Sequence, residues 1–92
     1  PARLADQIRI EVEVDGVAVT IVERRAPWSP SLGPEWSRLP VARLRFSPTN
    51  GQWTLFWFDR NRPAHRYPGA PSNTLDDLLR LVDQDSTAIF WG

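Results

Sequence analysis

The chain has 92 residues, of which 41% are apolar and 24% charged, and its formal net charge is zero. That length supports one domain with one hydrophobic core over residues 1–92, and it excludes a second domain. The lack of cysteine excludes disulfides, thiolate catalysis and cysteine-based zinc sites. No apolar run approaches the roughly 18 residues of a membrane span, and no signal peptide is apparent. We therefore expect a soluble cytoplasmic protein without membrane contact, and Pro1 in the first position fits the removal of a short N-terminal segment.

The first predicted element is a β-hairpin. Residues 7–14 alternate apolar and polar side chains, and residues 17–24 form the second strand. Between them, Asp15-Gly16 suits a two-residue type I′ turn, in which both positions have positive φ. Closing the turn there pairs Val14 with Val17 and gives one face an apolar ladder. The opposite face carries Arg9, Glu11 and Glu13.

The next segment is predicted to be a long ordered loop. Residues 25–40 contain four prolines and show no usable periodicity. Trp28 and Trp36 lie within it. We interpret these rings as lids on the edge of the core rather than as platforms for a ligand, because bulky amphipathic rings suit the margin of a small core.

A second hairpin follows, with strands over residues 41–47 and 52–59. Its turn closes either tightly at Asn50-Gly51 or as a four-residue loop over residues 48–51, and both keep the same faces. Prolines flank a short edge strand over residues 64–67. Strand parity predicts a core set, which is Leu44, Phe46, Trp53, Leu55 and Trp57. It predicts a second set on the other face, which is Arg43, Arg45, Phe56 and Phe58.

The last predicted element is a helix that begins after Thr74. Thr74 as N-cap, with Asp77 three residues later, resembles a capping box. An apolar stripe at spacings of three and four follows, at Leu75, Leu78, Leu79 and Val82. The apolar tail over residues 87–92 is expected to dock on the sheet or on a partner. Together the elements predict an α+β domain: an antiparallel four- to five-stranded meander sheet with one C-terminal helix packed on one face.

Four segments carry a resemblance to a known family. They are Glu23-Arg24-Arg25, residues 53–61, His65-Arg66-Tyr67 and residues 85–92, of which the last is the most specific. Through them nearly the whole chain resembles a family of small bacterial proteins known as domain of unknown function 3024. Members read Asp-Pro-Thr-Gly where this chain has Asp85-Ser86-Thr87-Ala88, which affects the turn near Ser86, and a longer segment precedes their first strand. The family has no assigned activity, so the resemblance implies domain limits and no site residues.

Catalytic and metal chemistry have little support in the sequence. One histidine and no cysteine leave only carboxylates as metal ligands, and the acids at positions 76–85 lack the spacing of an EF-hand loop. No glycine-rich phosphate loop is present. The best catalytic constellation is His65 oriented by Asp59, with Ser47 or Ser72 as nucleophile. Spacing alone does not support it, and we expect a non-enzymatic protein without a cofactor or a metal.

The charge distribution indicates an interaction surface instead. Residues 38–66 contain six arginines and a single acid, Asp59. An apolar patch rimmed by arginine is typical of protein interfaces. We therefore expect a protein partner, or a second copy of the chain in a homodimer. The expected contact residues are Arg43, Arg45, Phe56, Phe58, Arg60, Arg62, Phe90 and Trp91.

Two alternatives remain for this surface. Single-stranded nucleic acid would stack its bases on Phe56 and Phe58 while arginines contact the phosphates, although the zero net charge argues against it. Within the chain itself, the arginines would pair with Glu11, Glu13 and Glu23 and stack on aromatic rings.

Overall fold

A computed structural model describes residues 7–27, 31, 33–69, 71–86 and 88–91. Five strands form one antiparallel sheet in the order β1-β2-β3-β4-β5. The strands are β1 Ile8–Asp15, β2 Ala18–Arg25, β3 Ser37–Ser47, β4 Gln52–Phe58 and β5 Ala64–Arg66, and helix α1 spans Leu75–Gln84. The predicted α+β meander with one C-terminal helix is confirmed. No helix in these ranges has the length and apolarity needed to cross a membrane.

The first hairpin is present, but its predicted register is wrong. Val14 lies opposite Val19 rather than Val17. The two central turn residues are Gly16 and Val17, and of these only Gly16 has a positive φ, of 58°. That is the pattern of a type II′ turn, which places glycine first, whereas type I′ needs positive φ at both positions. Because the register differs by two residues, the side chains of β1 and β2 keep their predicted faces, and Val17 moves into the turn.

The segment between the hairpins is shorter than predicted, because β3 already begins at Ser37. Just before it, the ring centre of Trp36 lies 4.3 Å from the guanidinium carbon of Arg9. This distance allows a cation–π contact. Trp36 is not among the side chains packed on the core cluster, so its predicted position as a core lid is wrong. Trp28 lies outside the described residues.

A bulge interrupts the ladder between β2 and β3. Ile21 lies opposite Ala42. The next residue of β2, Val22, lies opposite Pro40, so that β3 has Val41 as an extra residue. Val41 and Ala42 are both buried in the core. One extra residue reverses the alternation of side chains along β3, so the parity predicted from residue 41 onward does not continue before it.

The second hairpin closes with the longer of the two predicted turns. Ser47 lies opposite Gln52, which leaves a four-residue loop over residues 48–51. Gly51 has a φ of 68°, and its N–H donates to the carbonyl of Ser47 at 2.8 Å. β5 then pairs with β4 and forms the far edge of the sheet, as predicted.

Helix α1 begins after Thr74, which is its N-cap as predicted. The predicted capping box is wrong, because the Thr74 side chain makes no cap hydrogen bond and its hydroxyl donates to Asn73 Oδ1 at 3.2 Å. The N–H of Thr74 itself donates to Ser72 Oγ at 3.0 Å. At the other end, Asp85 adopts the left-handed conformation (φ 44°, ψ 49°), and its N–H donates to the carbonyl of Leu81 at 3.0 Å.

The core lies between α1 and one side of the sheet, which we call the helix face. Its buried residues are Val41, Ala42, Leu44, Leu55, Leu78, Val82 and Phe90. Trp53 and Trp57 pack against this cluster, as the strand parity predicts. The same face of β1 is open: the exposed fractions are 55% for Ile10, 62% for Val12 and 72% for Val14. The single helix therefore covers β3 and β4, and Ile21 of β2 packs against the same core, while the apolar side chains of β1 remain in contact with solvent among the described residues.

Candidate interaction surface

The outer face of the sheet is the side opposite to α1. Alternate residues of a strand share one face, which places Arg43 and Arg45 of β3 beside Phe56 and Phe58 of β4. The register sets Arg43 opposite Phe56, and Phe56 opposite Arg66 of β5. We call this set the Arg/Phe patch: Arg43, Arg45, Phe56, Phe58 and Arg66.

The neighbouring part of the outer face, on β1, β2 and the start of β3, is neutralised by ion pairs. Nε of Arg24 donates to Glu11 at 2.7 Å, and Nε of Arg38 donates to Glu13 at 2.9 Å. Nη2 of Arg24 also lies 3.4 Å from Glu13. The hydrogen bond from Arg38 is the main cause that lowers the pKa of Glu13, and the positive charge of Arg24 adds to it. Intramolecular pairing, one of the alternatives for these arginines, therefore holds for Arg24 and Arg38.

Arg43 lies at the centre of the patch and has a different environment. Its Nε donates to Thr20 Oγ1 at 3.3 Å, and its guanidinium carbon lies 5.3 Å from the ring centre of Phe58. No described residue forms an ion pair with it. The acid Glu23 pairs instead with Arg25 at 2.7 Å. Arg43 is thus oriented by a hydroxyl and an aromatic ring while its charge stays uncompensated.

The other arginines of this region also lack a carboxylate partner among the described residues. Arg45 and Arg66 are exposed on the sheet, and Arg60 and Arg62 are exposed in the turn between β4 and β5. None of the four forms a described ion pair. Arg62 has a φ of 79°, and its N–H donates to the carbonyl of Asp59 at 2.9 Å. The part of the outer face that carries the Arg/Phe patch and the β4–β5 turn is therefore positive, although the whole chain has zero net charge.

Two shallow concavities adjoin the aromatic rings of the patch. The first, of about 280 Å³, is lined by Asp15, Val17, Ala18, Arg43, Arg45, Phe56 and Ala64. The second, of about 300 Å³, is lined by Arg38, Pro40, Arg43, Phe58 and Arg62. Arg43 borders both, and small alanine side chains beside larger ones leave room for the first. These volumes lie at the low end of ligand sites, which span roughly 300–1,000 Å³, so each concavity suits a side chain better than a whole cofactor.

The two remaining predicted contact residues lie away from the patch. Phe90 is buried in the core, with its ring centre 5.2 Å from that of Tyr67. Trp91 is exposed, and its indole N–H donates to the carbonyl of Val82 at 3.0 Å. The carboxylate of Asp85 accepts the backbone N–H groups of Phe90 and Trp91, at 3.0 and 2.8 Å. The described part of the tail therefore docks on its own domain, and Phe90 is not a surface residue.

The predicted catalytic constellation is only partly assembled. Nε2 of His65 lies 2.7 Å from Asp59 Oδ2, and the His65 ring stacks on Trp57 at 4.7 Å between ring centres. Ser47 and Ser72 lie beside the opposite end of β4. At about 3.3 Å per residue along the strand, either serine is roughly 13 Å or more from the imidazole. That separation is far beyond the reach of a base–nucleophile hydrogen bond.

The sequence did not predict two residues of the outer face. Arg66 was absent from the expected contact residues, although the parity of β5 against Phe56 is a signal that finds it. Arg38 fell in a predicted loop. It reaches the outer face only because of the bulge at Val41, and no residue pattern in the sequence marks that bulge.

Among the described residues, no group of three His, Asp or Glu side chains is arranged to hold a metal ion.

The comparisons with known proteins concern the chain as a whole. No curated protein and no solved structure matches the chain. One family model, described as domain of unknown function (DUF3024), matches residues 1–92. The match spans the whole sequence, as the resemblance in its residue segments implied. The chain therefore belongs to the DUF3024 family, a domain of unknown function.

Proposed function

We propose that this domain is a non-enzymatic interaction module that binds an acidic segment of a partner protein through the Arg/Phe patch. The observation that carries the proposal is the division of the outer face. On one side, Arg24 of β2 and Arg38 at the start of β3 are neutralised by Glu11 and Glu13. On the other side, Arg43, Arg45, Arg60, Arg62 and Arg66 have no described carboxylate partner. Guanidinium groups bind carboxylates in a bidentate geometry, so this half favours a partner that supplies them.

The shape and composition of the patch support a protein segment. Arginine and aromatic residues are enriched among the residues that contribute most to protein interfaces. The two concavities beside Arg43 each suit one side chain. An extended segment would place carboxylates against Arg45 and Arg66 and an apolar side chain against Phe56. Arg43 already contacts Thr20 and the ring of Phe58, so it loses little conformational freedom on binding.

Single-stranded nucleic acid is the second candidate for the same patch. Phe56 is half-buried among arginines and offers one ring on which a base would stack. The ring of Phe58 is partly covered by Arg43, so the platform of two rings is reduced. The zero net charge also weakens the long-range attraction to a phosphate backbone. These two points favour the acidic protein segment.

A peptide selection tests the proposal even though the partner is unidentified. The domain is immobilised and screened against a displayed library of random peptides, with Arg45→Glu and Arg80→Glu as matched variants. Arg80 is an exposed arginine of α1, away from the outer face. We expect enrichment of peptides rich in Asp and Glu, with binding lost in Arg45→Glu and kept in Arg80→Glu. A selected pool without acidic enrichment, or an equal loss in both variants, would contradict the proposal.

A second measurement separates the two candidate partners. Fluorescence anisotropy is recorded for the best selected peptide and for a single-stranded oligonucleotide, each over a range of salt concentrations. We expect the peptide to bind more tightly. Tighter binding of the oligonucleotide, with an affinity that falls steeply as salt rises, would support nucleic acid and overturn the proposal for a protein segment.

A further inference from the structure

Strand β1 is an open sheet edge along its whole length. The carbonyl of Gln7 accepts the N–H of Ala26 at 2.9 Å, which places the peptide groups of this position on the side of β2. Peptide groups alternate in an antiparallel ladder. The N–H and C=O groups of the intervening residues therefore point away from β2, at Ile8, Ile10, Val12 and Val14. No described strand pairs with them.

The two edges of this sheet differ in their protection. Edge strands are commonly blunted by shortness, by proline, by a bulge or by inward-pointing charges. β5 has three residues between Pro63 and Pro68. β1 has eight residues, no proline and no bulge, and its charged side chains all lie on the outer face. β1 is therefore suited to accept a further strand, and β5 is not.

The exposed side chains at this edge favour an apolar neighbour. On the helix face, Ile10, Val12 and Val14 are each more than half exposed. A contiguous exposed apolar surface of this kind marks an interaction site more often than scattered apolar residues do. On the outer face, Arg9 has no described carboxylate partner. A strand that fits here would match apolar residues on one side and charges on the other.

We propose that β1 pairs in antiparallel orientation with β1 of a second copy of this chain, with Ile10 directly opposite Ile10 of that copy. This interface is separate from the Arg/Phe patch and does not depend on the function proposed for it. In this register Ile8 lies opposite Val12 of the second copy. Arg9 lies opposite Glu11 of the second copy, and the two-fold symmetry repeats both contacts.

Charge selects this register over its neighbours. Because the outward peptide groups belong to alternate residues, the register can shift only in steps that keep apolar residues opposite apolar residues. A shift in one direction sets Arg9 opposite its own copy. Shifts in the other direction set Glu11 opposite Glu11 or Glu13 of the second copy. Like charges directly opposite each other are destabilising, and the register centred on Ile10 has none.

The pairing also fixes the relative orientation of the two domains. Directly opposite residues of an antiparallel ladder share a face, so the two helix faces lie on the same side of one ten-stranded sheet. Three hydrogen-bonded residue pairs, formed by Ile8, Ile10 and Val12 of both copies, supply about six backbone hydrogen bonds. The exposed ladders of both copies become neighbours on that face, while the two Arg/Phe patches lie on the opposite side.

A variant pair at one position tests the edge hydrogen bonds. Val12→Pro removes an N–H that the pairing uses and the β1–β2 ladder does not, whereas Val12→Thr keeps the N–H and the side-chain shape. Analytical ultracentrifugation over a concentration series is expected to give twice the 10.5 kDa chain mass for wild type and Val12→Thr, and one chain mass for Val12→Pro. Wild type that stays at one chain mass at every concentration would overturn the proposal, and so would a Val12→Pro dimer that is folded by circular dichroism.

Cysteine cross-linking tests the register, and the lack of native cysteine makes each introduced thiol unique. Residues directly opposite each other in a hydrogen-bonded pair have Cα atoms about 5.5 Å apart, within the range that a disulfide spans. Under mild oxidation, Ile10→Cys is expected to form a covalent dimer, while Val14→Cys and Val17→Cys stay single chains. Val14 is the more exposed position, so random collision would favour it instead. Preferred cross-linking of Val12→Cys, Val14→Cys or Val17→Cys would overturn the register.

A charge exchange tests the pairing of Arg9 with Glu11 of the second copy. Arg9→Glu alone is expected to abolish the dimer, because it sets two carboxylates opposite each other. The double variant Arg9→Glu/Glu11→Arg is expected to restore it, since the charges are again complementary. Within each chain, the new Glu at position 9 would lie opposite Arg24, which limits the cost of the exchange to the monomer. Failure of the folded double variant to dimerise would contradict the assigned contact.

Discussion

His65 and Asp59 form a hydrogen-bonded pair, with 2.7 Å between Nε2 and Oδ2, where the β4–β5 hairpin turns. The hydrogen bond from His65 is the main cause that lowers the pKa of Asp59, and the N–H of Asn61 lowers it further. A carboxyl whose pKa is lowered by folding stabilises the folded state in its ionised form. That contribution is complete above the unfolded-state pKa, and it is lost as pH falls through the lowered folded-state pKa.

We expect Asp59→Asn to be less stable than wild type near neutral pH and to approach wild type in acid, because the protonated carboxyl no longer holds this advantage. Urea denaturation at a series of pH values measures the difference. Asp83→Asn is the control, since Asp83 is an exposed acid of α1 without a described hydrogen bond. A difference between Asp59→Asn and wild type that stays constant into acid would contradict the role of the ionised carboxylate.

The buried side of the sheet predicts a large effect at Leu44, which is fully buried in the core. Leu44→Ala is expected to lower the free energy of unfolding by about 2–5 kcal/mol, because it removes apolar contacts and leaves a cavity. Val14→Ala, at a position that is 72% exposed, should cost at most about 1 kcal/mol. Chemical denaturation followed by tryptophan fluorescence compares the two, and similar losses would place the core elsewhere.

Neutralising Glu13 is expected to strengthen binding at the outer face. Glu13→Gln removes the carboxylate that holds Arg38, so the guanidinium group of Arg38 becomes available to an acidic partner, while Arg24 stays paired with Glu11. We expect up to about fivefold tighter binding of an acidic peptide. Anisotropy titrations measure the change, with Asp83→Gln as a control for net charge. An equal gain in the control would show that general electrostatics suffices.

The carboxylate of Asp85 joins the end of α1 to the tail through the N–H groups of Phe90 and Trp91. Asp85 also has a left-handed backbone, which asparagine and glycine tolerate better than alanine. We therefore expect stability to fall in the order wild type, Asp85→Asn, Asp85→Gly, Asp85→Ala. The alanine variant should lose about 2–4 kcal/mol, from the charged hydrogen bonds and the strained φ together. Thermal or urea unfolding checks the order, and an alanine variant more stable than the glycine variant would contradict it.

Periodicity alone predicted most of the fold. Strand parity placed Leu44, Leu55 and the two core tryptophans correctly, because the side-chain period of a strand does not depend on register. It missed the register of the first hairpin, since Asp15-Gly16 suits a type I′ turn whereas the chain uses Gly16-Val17. Turn type depends on the backbone conformation of both central residues, and dipeptide preference does not determine it uniquely.

The candidate site was predictable in part. Arg43, Arg45, Phe56 and Phe58 do share one face. Phe90 was predicted as a contact residue and lies in the core. An apolar C-terminal tail has the same sequence pattern whether it docks on its own core or on a partner. The open apolar ladder of β1 was also missed. Alternation shows which side chains share a face, but only the position of the helix decides which strands of that face it covers.

The bulge at Val41 lets residues of opposite parity, Arg38 and Arg43, lie on the same face of β3. Deleting Val41 would remove the bulge and keep Pro40 opposite Val22 and Ala42 opposite Ile21, so Arg38 would stay on the outer face and Leu39 on the helix face. Glu13 would then keep Arg38 as its main partner. Relatives that lack this one residue would thus present the same outer face on a strand that alternates without interruption.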